Sequence, residues 1–259
     1  MNKMKTIPKT IHYCWFGDNT LPENAKKCIE SWKKFFPDYT IKQWNENNLK
    51  IDINKYARQA YDCKQYAFFT DVARLFIIYT YGGIYFDIDV EVIKKYDDII
   101  KHGAFLGIES NGLVATGLGF GAEKNNWLIK AMLDDYSNRD FIKNGKQDLT
   151  PCPHINSQII RKYGFKIDGK KETKRGITIY PQEYFNPKGN YRGDINITAN
   201  THSIHHYNGA WLSKQEKRRS ILYKKITSKL GKKYGTIVYK TLFSPYIIAS
   251  HIIQKISRK

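Results

Sequence analysis

Apolar residues recur at helical spacing in two stretches near the start of the chain. In "LPENAKKCIESWKKFF", residues Ala25, Cys28, Ile29, Trp32, Phe35 and Phe36 follow the 3.6-residue period, with Pro22 in the first turn. "KQYAFFTDVARLFIIYTYGG" predicts a longer, mostly apolar helix that Gly82 and Gly83 stop. Short β-prone runs alternate with these helices: residues 9–16, "YTIKQWN" and "IYFDIDVEVIKK". Further strands are expected at 104–108, 112–120, 176–180 and 200–206. "NNWLIKAMLDDY" and "INSQIIRKYG" read as helices, and 143–154, rich in Pro, Gly and polar residues, as a loop. The β-α-β opening favours a parallel sheet and an α/β architecture.

Composition fits that picture. The chain has 259 residues, 41% hydrophobic and 14% aromatic, enough for a sizeable core without disulfides. Cys14, Cys28, Cys63 and Cys152 form no CxxC pair and read as small buried apolar residues of a reducing compartment. No signal-peptide h-region and no apolar run long enough to span a bilayer is seen. The expected location is therefore the cytoplasm, or the inner face of the cell membrane as a peripheral protein.

Charge adds a division. The net charge is +19, and from Ser213 onward 13 Lys and Arg stand against Glu216 alone, so the tail carries +12. Residues 1–212 are expected to form one catalytic domain and 213–259 a basic helical tail. In that tail Ile221, Leu222, Ile226 and Leu230 share a face opposite Lys224, Lys225 and Lys229. Basic amphipathic helices bind anionic membranes at about 1 kcal/mol per well-placed cation. A solvated hairpin packed on the domain is the alternative. No nucleic-acid module accompanies the charge, so no nucleic-acid partner is expected.

The chemistry centres on "GGIYFDIDVEV". In a strand, residues i and i+2 share a face with Cα atoms about 6.6 Å apart, so Asp87 and Asp89 would point the same way. Two carboxylates that close repel unless a cation lies between them. Mg²⁺ or Mn²⁺ takes such hard oxygen ligands together with substrate phosphates. Two solvated carboxylates on a polar strand face are the bland alternative, but Ile84, Tyr85, Phe86, Ile88 and Val90 surround them. Upstream, Asp71 and Arg74 share one face of an otherwise apolar helix. Such a pair is either a buried structural ion pair or part of a site.

The stretch "FFTDVARLFIIYTYGGIYFDIDV" resembles the DXD-containing glycosyltransferases that include the yeast initiating α-1,6-mannosyltransferase and many bacterial capsule and lipopolysaccharide enzymes. It is also similar to the catalytic core of the large clostridial glucosylating toxins. "IPKTIHYCWFG" and "IHHYNGAW" match the family's opening strand and closing motif, so the resemblance spans residues 7–212. It implies a GT-A fold, Rossmann-like with a mostly parallel central sheet flanked by helices, here with a C-terminal basic helical extension. It further implies a divalent metal (Mn²⁺ or Mg²⁺), a nucleotide-sugar donor with UDP-sugars favoured, and retention of anomeric configuration. The glycan acceptor would be surface polysaccharide or oligosaccharide, polyprenyl-diphosphate-linked.

By the same resemblance Asp71 and Arg74 would bind the donor sugar and diphosphate region. Asp87 would contact ribose or sugar and the metal, and Asp89 would ligate the metal directly. Trp15, with backbone around Ile11 and Tyr13, would line the nucleobase and ribose. His205, or its neighbour His206, would serve the metal or diphosphate, and Trp211 would close over the diphosphate. Ala210 stands where many members have Ser, leaving Asn208 or backbone for that contact.

No nucleophile on the opposite sugar face is evident, which favours front-side transfer. Weaker candidates are Asn156 and Gln158, facing a sugar or lying on a helix surface. "GLVATGLGFGAEKNN" reads as strand and turn near the acceptor site, and His12 and His154 as structural. Two other classes compete: a non-catalytic nucleotide-sugar- or membrane-binding protein, and a two-metal phosphoester hydrolase. The latter wants more ligands than this motif offers.

Overall fold

The computed structural model describes residues 6–17, 19–188 and 195–207, and in the tail 218, 221–223, 225–231, 234–235, 237–239 and 241–242. The chain divides into two units, Met1–Asn208 and Gly209–Lys259. In chain order the first unit contains β1 (Thr10–Cys14), α1 (Glu23–Phe35), β2 (Thr40–Trp44), α2 (Lys55–Asp62), α3 (Tyr66–Tyr81), β3 (Gly83–Tyr85) and β4 (Val90–Val92). There follow α4 (Asp97–Ile100), β5 (Ala104–Gly107), a 3₁₀ turn (Thr116–Leu118), β6 (Phe120–Ala122) and α5 (Trp127–Ser137). A small hairpin of β7 (Ile142–Lys143) and β8 (Lys146–Gln147) precedes α6 (Cys152–Lys162), β9 (Glu172–Lys174), β10 (Ile177–Tyr180), α7 (Gln182–Phe185) and β11 (Ser203–His205).

The central sheet has the order β2-β1-β3-β6-β5-β10-β9. Strands β2, β1, β3, β5 and β10 run one way; β6 and β9 run against them. The sheet is thus mostly parallel and flanked by helices, the architecture expected. Alternation along the strands feeds two cores. Cys14, Tyr85, Ala104 and Leu106 pack with Phe69, Leu75, Leu128, Met132 and Ile155 from α3, α5 and α6. Ile11, Tyr13, Ile84 and Phe105 face the other way, toward Trp32 and Phe36 of the α1 region and Phe185 of α7. Burial on both faces is what makes the strand segments read as apolar runs.

The GG turn after α3 aims the next strand. Gly82 and Gly83 have φ of +66° and +106°. A Cβ on Gly83 would lie 2.6 Å from the Thr10 carbonyl and 2.8 Å from His12 Nε2, so neither space nor backbone admits a side chain. His12 pins this turn. Its Nδ1 accepts from Trp44 Nε1 (3.0 Å), which leaves Nε2–H to donate to the Gly82 carbonyl (2.9 Å). Burial lowers the pKa of His12 to about 4, so it is a neutral structural histidine.

The expected continuous strand through the acidic pair is absent. β3 ends at Tyr85, and Val90 N donates to the Asp87 carbonyl (3.0 Å), closing a turn over Asp87–Val90. The chain turns there because β4 leaves the central sheet and pairs antiparallel with β11. The region expected as strand 112–120 is instead a bridge at Val114, the 3₁₀ turn and then β6. The expected loop 143–154 contains the β7–β8 hairpin and the start of α6. α2, capped by Asn54 accepting from Ala57 N (2.8 Å), was not expected.

In the second unit the described residues are helical, and Tyr223 and Tyr239 bury their rings edge to face, centroids 5.1 Å apart. Ile221, Leu222, Leu230, Tyr234, Ile237 and Leu242 are exposed. No helix among the described residues is long and apolar enough to cross a membrane. Trp211, Ala210 and Asn208, and Lys224 of the expected basic face, lie outside the described residues.

Candidate active site

The site forms at the carboxyl ends of parallel strands β1, β3 and β5, where open α/β sheets bind ligands. The turn after β3 presents Asp87 and Asp89. Helix α1 secures the strand beyond: Trp32 Nε1 donates to the Val90 carbonyl (2.7 Å), and Val92 N donates to Ser31 Oγ (2.9 Å). On the other side, β11 pairs His205 with Val90, and His206 N donates to the Asp89 carbonyl (2.9 Å). This register carries His205 onto the acidic turn. Its Nε2–H donates to Asp89 Oδ1 at 3.0 Å, while Nδ1 is buried with no partner among the described residues. His206 faces elsewhere, toward Glu91 Oε2 at 2.8 Å.

Asp87, Asp89 and His205 each bring one ligand atom within 4.8 Å of the others. Two carboxylate oxygens and one imidazole nitrogen suit Mn²⁺ and, with more substrate oxygens, Mg²⁺. The orphaned, buried nitrogen of His205 and two adjacent carboxylates are the features a cation would relieve. Burial opposes a charge on His205, but Asp89 and Asp87 outweigh it and raise its pKa above the ordinary imidazole value. Asp87 is also raised, first by burial and then by Asp89, with Arg74 pulling down.

Helix α3 supplies the second charged layer. Arg74 Nη2 donates to Asp71 Oδ1 (2.8 Å), and Nη1 lies 3.6 Å from Asp87 Oδ2. Nε donates to the Thr70 carbonyl (3.2 Å), and the guanidinium lies 5.3 Å from the Tyr85 ring centre. Burial opposes the charge of Arg74, but Asp87 and Asp71 hold its pKa well above the ordinary value. Burial pushes the Asp71 carboxyl up to about 6, against the pull of Arg74 and of a hydrogen bond from Cys152. Tyr85 Oη donates to Asp87 Oδ1 (3.1 Å). Arg74 therefore joins the helix pair to the acidic turn in one network.

Other expected residues are placed less centrally. Trp15 is half-buried just past β1 and donates through Nε1 to the Asn19 carbonyl (2.6 Å). The Ile11 and Tyr13 side chains lie in the core, Tyr13 Oη reaching Gln43 Oε1 (2.8 Å). Asn156 and Gln158 part company: Gln158 is exposed, while Asn156 is fully buried, donates to Thr116 Oγ1 (3.4 Å) and leaves Oδ1 without a partner among the described residues. Three groups escaped sequence reasoning. Cys152 donates a thiol hydrogen bond to Asp71 rather than serving as a plain apolar filler. Glu109 closes the apolar run of β5, the signal by which it was legible. Gly117 lies directly on the charged network.

Gly117 gives a direct test of that packing. A Cβ there would come 2.5 Å from Asp87 Oδ2 and 3.1 Å from Arg74 Nη1. Gly117→Ala should move Asp87 and cut donor turnover at least about tenfold, while the overpacking costs only about 1–3 kcal/mol of stability. Turnover assays beside thermal melts check this; unaltered turnover would show that the contact is slack.

Comparison with known proteins agrees with the geometry. Residues 22–106 match the family model described as a glycosyltransferase sugar-binding region containing a DXD motif. The chain is 33% identical over 144 residues to inositol phosphoceramide mannosyltransferase 3 of Schizosaccharomyces pombe, covering 51% of this chain and 38% of that protein. It is 26% identical over 175 residues to inositol phosphoceramide mannosyltransferase 1 of the same yeast, covering 62% and 53%. The chain thus spans about two fifths to one half of these relatives. Among solved structures, PaToxG glycosyltransferase is similar at 20% identity and a TM-score of 0.47, over 62% of this chain and 71% of that one. The matched segment holds Asp71, Arg74, Asp87 and Asp89, and over it the chain is similar to the DXD-containing glycosyltransferases.

Proposed function

We propose that this chain is a metal-dependent, retaining glycosyltransferase. It moves a hexose or N-acetylhexosamine from a nucleotide sugar, with UDP-sugars favoured, to a glycan of a growing, lipid-linked surface polysaccharide or oligosaccharide. The names of the two yeast relatives add mannose to the hexoses worth testing. The observation that carries this reading is the convergence of Asp87, Asp89 and His205 beside the Asp71–Arg74 pair.

Bound there, Mn²⁺ or Mg²⁺ would offset the negative charge that builds on a departing nucleoside diphosphate. Asp87, Asp89 and His205 would hold it. Asp71, fixed by Arg74 and Cys152, accepts hydrogen bonds from donor-sugar hydroxyls and so orients the sugar. Arg74, already committed to two carboxylates, keeps both ionised and aimed. Trp15 and the β1 edge border the base and ribose. Transfer is front-side. In the tail, exposed apolar residues interspersed with a net charge of +12 suit the inner face of an anionic membrane, where a lipid-linked acceptor lies.

A thermal-shift screen of UDP- and GDP-sugars with and without Mn²⁺, followed by nucleotide release, tests the reading. A stabilisation that needs both components, with release of the nucleoside diphosphate, is the expected result. At a hundred times Kd, about 2.7 kcal/mol of stabilisation should appear. A shift without turnover toward any acceptor would leave a binding protein instead.

A further inference from the structure

Glu109 lies at the carboxyl end of β5, on the same edge of the sheet as Asp87, and belongs to neither the metal cluster nor the Arg74 network. Its carboxylate is mostly buried, and burial raises its pKa. The imidazoles of His205 and His154 are its neighbours. Two donors fix it: Asn111 Nδ2, itself set by Leu113 N donating to Asn111 Oδ1 (2.9 Å), and the Tyr207 hydroxyl. Tyr207 in turn accepts from Asn186 Nδ2 (2.5 Å), a residue with no exposed surface.

Tyr207 holds this position at a cost. Its φ of +51° is left-handed, a conformation that costs a bulky residue on the order of 1 kcal/mol. In exchange its ring sits 4.2 Å from the His205 ring centre and its hydroxyl on Glu109. Two turns and a strained tyrosine thus hold one carboxylate beside the metal ligands without making it a ligand. A carboxylate has about four acceptor sites, so Asn111 and Tyr207 leave room for a further donor.

We propose that Glu109 is the acceptor-binding carboxylate: it takes a hydrogen bond from the attacking hydroxyl, or from water in its place, and aims that oxygen at the donor's anomeric carbon. The proposal rests on the transferase reading above. The bond from the acceptor oxygen to the anomeric carbon forms as the bond from that carbon to the diphosphate breaks; the hydroxyl proton passes to Glu109 and from it to the departing phosphate, so no bond to Glu109 remains.

The test compares wild type, Glu109→Gln and Glu109→Ala with Mn²⁺ and whichever of UDP-glucose and GDP-mannose stabilises the wild type more, scoring nucleotide release to water. Both variants should lose at least about 30-fold in turnover, while donor KM and the Mn²⁺-dependent thermal shift stay within about twofold of wild type. Added formate should restore part of the alanine variant's turnover and none of the glutamine variant's. Unchanged turnover would overturn the assignment. Loss of the Mn²⁺-dependent shift would also overturn it, placing Glu109 in the metal centre, and a glycosyl adduct on Glu109 with donor alone would make it a nucleophile. A wild type that neither shifts nor turns over fails before any variant is compared; that outcome removes the transferase reading, and this proposal with it.

Discussion

Asp89→Ala should abolish the Mn²⁺-dependent stabilisation by a nucleotide sugar and lower turnover by at least about a thousandfold, near 4 kcal/mol of barrier. The expectation follows from the position of Asp89. Its carboxylate lies opposite His205 at 3.0 Å, both side chains nearly enclosed at 13% and 12% exposure. Without Asp89, only Asp87 and His205 remain of the three clustered ligands. Asp87 is already held by Arg74 and Tyr85, so it cannot swing to compensate.

The fold should tolerate the change. The turn and the β4–β11 pairing use the backbone of Asp89, whose carbonyl accepts from His206 N, and an alanine keeps that bond. Removing one of two adjacent carboxylates also relieves repulsion with Asp87. His205 loses its nearest counter-charge, so its pKa should fall, visible in its imidazole NMR signals. Asp89→Asn, which keeps shape without charge, should match the alanine in turnover. Full turnover in either variant, with fold confirmed by circular dichroism, would remove the acidic turn from the chemistry. His206→Ala is the matched comparison: its partner is Glu91, and it should cost far less than His205→Ala.

Much of this site was legible because its parts are local in sequence. The i, i+3 spacing of Asp71 and Arg74 on an apolar helix survives as a 2.8 Å ion pair. The GG stop, β3 and the DXD follow α3 in close succession, so the helix pair and the carboxylates are close in sequence. The long-range parts were less legible. His205 and His206 are adjacent, and only the β4–β11 register separates the one facing Asp89 from the one facing Glu91. The turn at Asp87–Val90 was hidden because Ile84, Tyr85, Phe86, Ile88 and Val90 around the two aspartates are β-prone, and tertiary pairing with β11 overrode that preference. α2 was hidden by a polar sequence whose buried face is only Tyr56, Ala57 and Ala60. Gly117 touches Asp87 from 30 residues away, a closeness no local pattern encodes.

Arg74→Met should be the most destabilising single change at the site, at about 3–5 kcal/mol. Methionine matches much of the arginine's length and fills its space, so packing is largely kept. What is lost is the guanidinium that pairs with both Asp71 and Asp87, in a helix layer where Arg74 is 5% exposed. Asp71 would then be buried with only the Cys152 hydrogen bond and Asp87 would lose its guanidinium, and breaking one partner of such a pair costs far more than the pair contributes. For a unit of this size the melting temperature should fall by roughly 10 °C.

The pH dependence identifies the cause. Burial holds the folded-state pKa of Asp71 at about 6 even with Arg74 present, above its unfolded value. A group shifted upward in this way stabilises the fold at low pH, and that contribution is lost as pH rises through the folded pKa. Losing the guanidinium raises Asp71 further, so the gap in stability between variant and wild type should be largest near pH 8 and shrink as pH falls toward 5. Adding Asp71→Asn should recover part of the loss in a double-mutant cycle, because the amide needs no counter-charge. A gap that stays constant with pH, or a double variant no more stable than Arg74→Met, would mean that packing rather than charge explains the arginine.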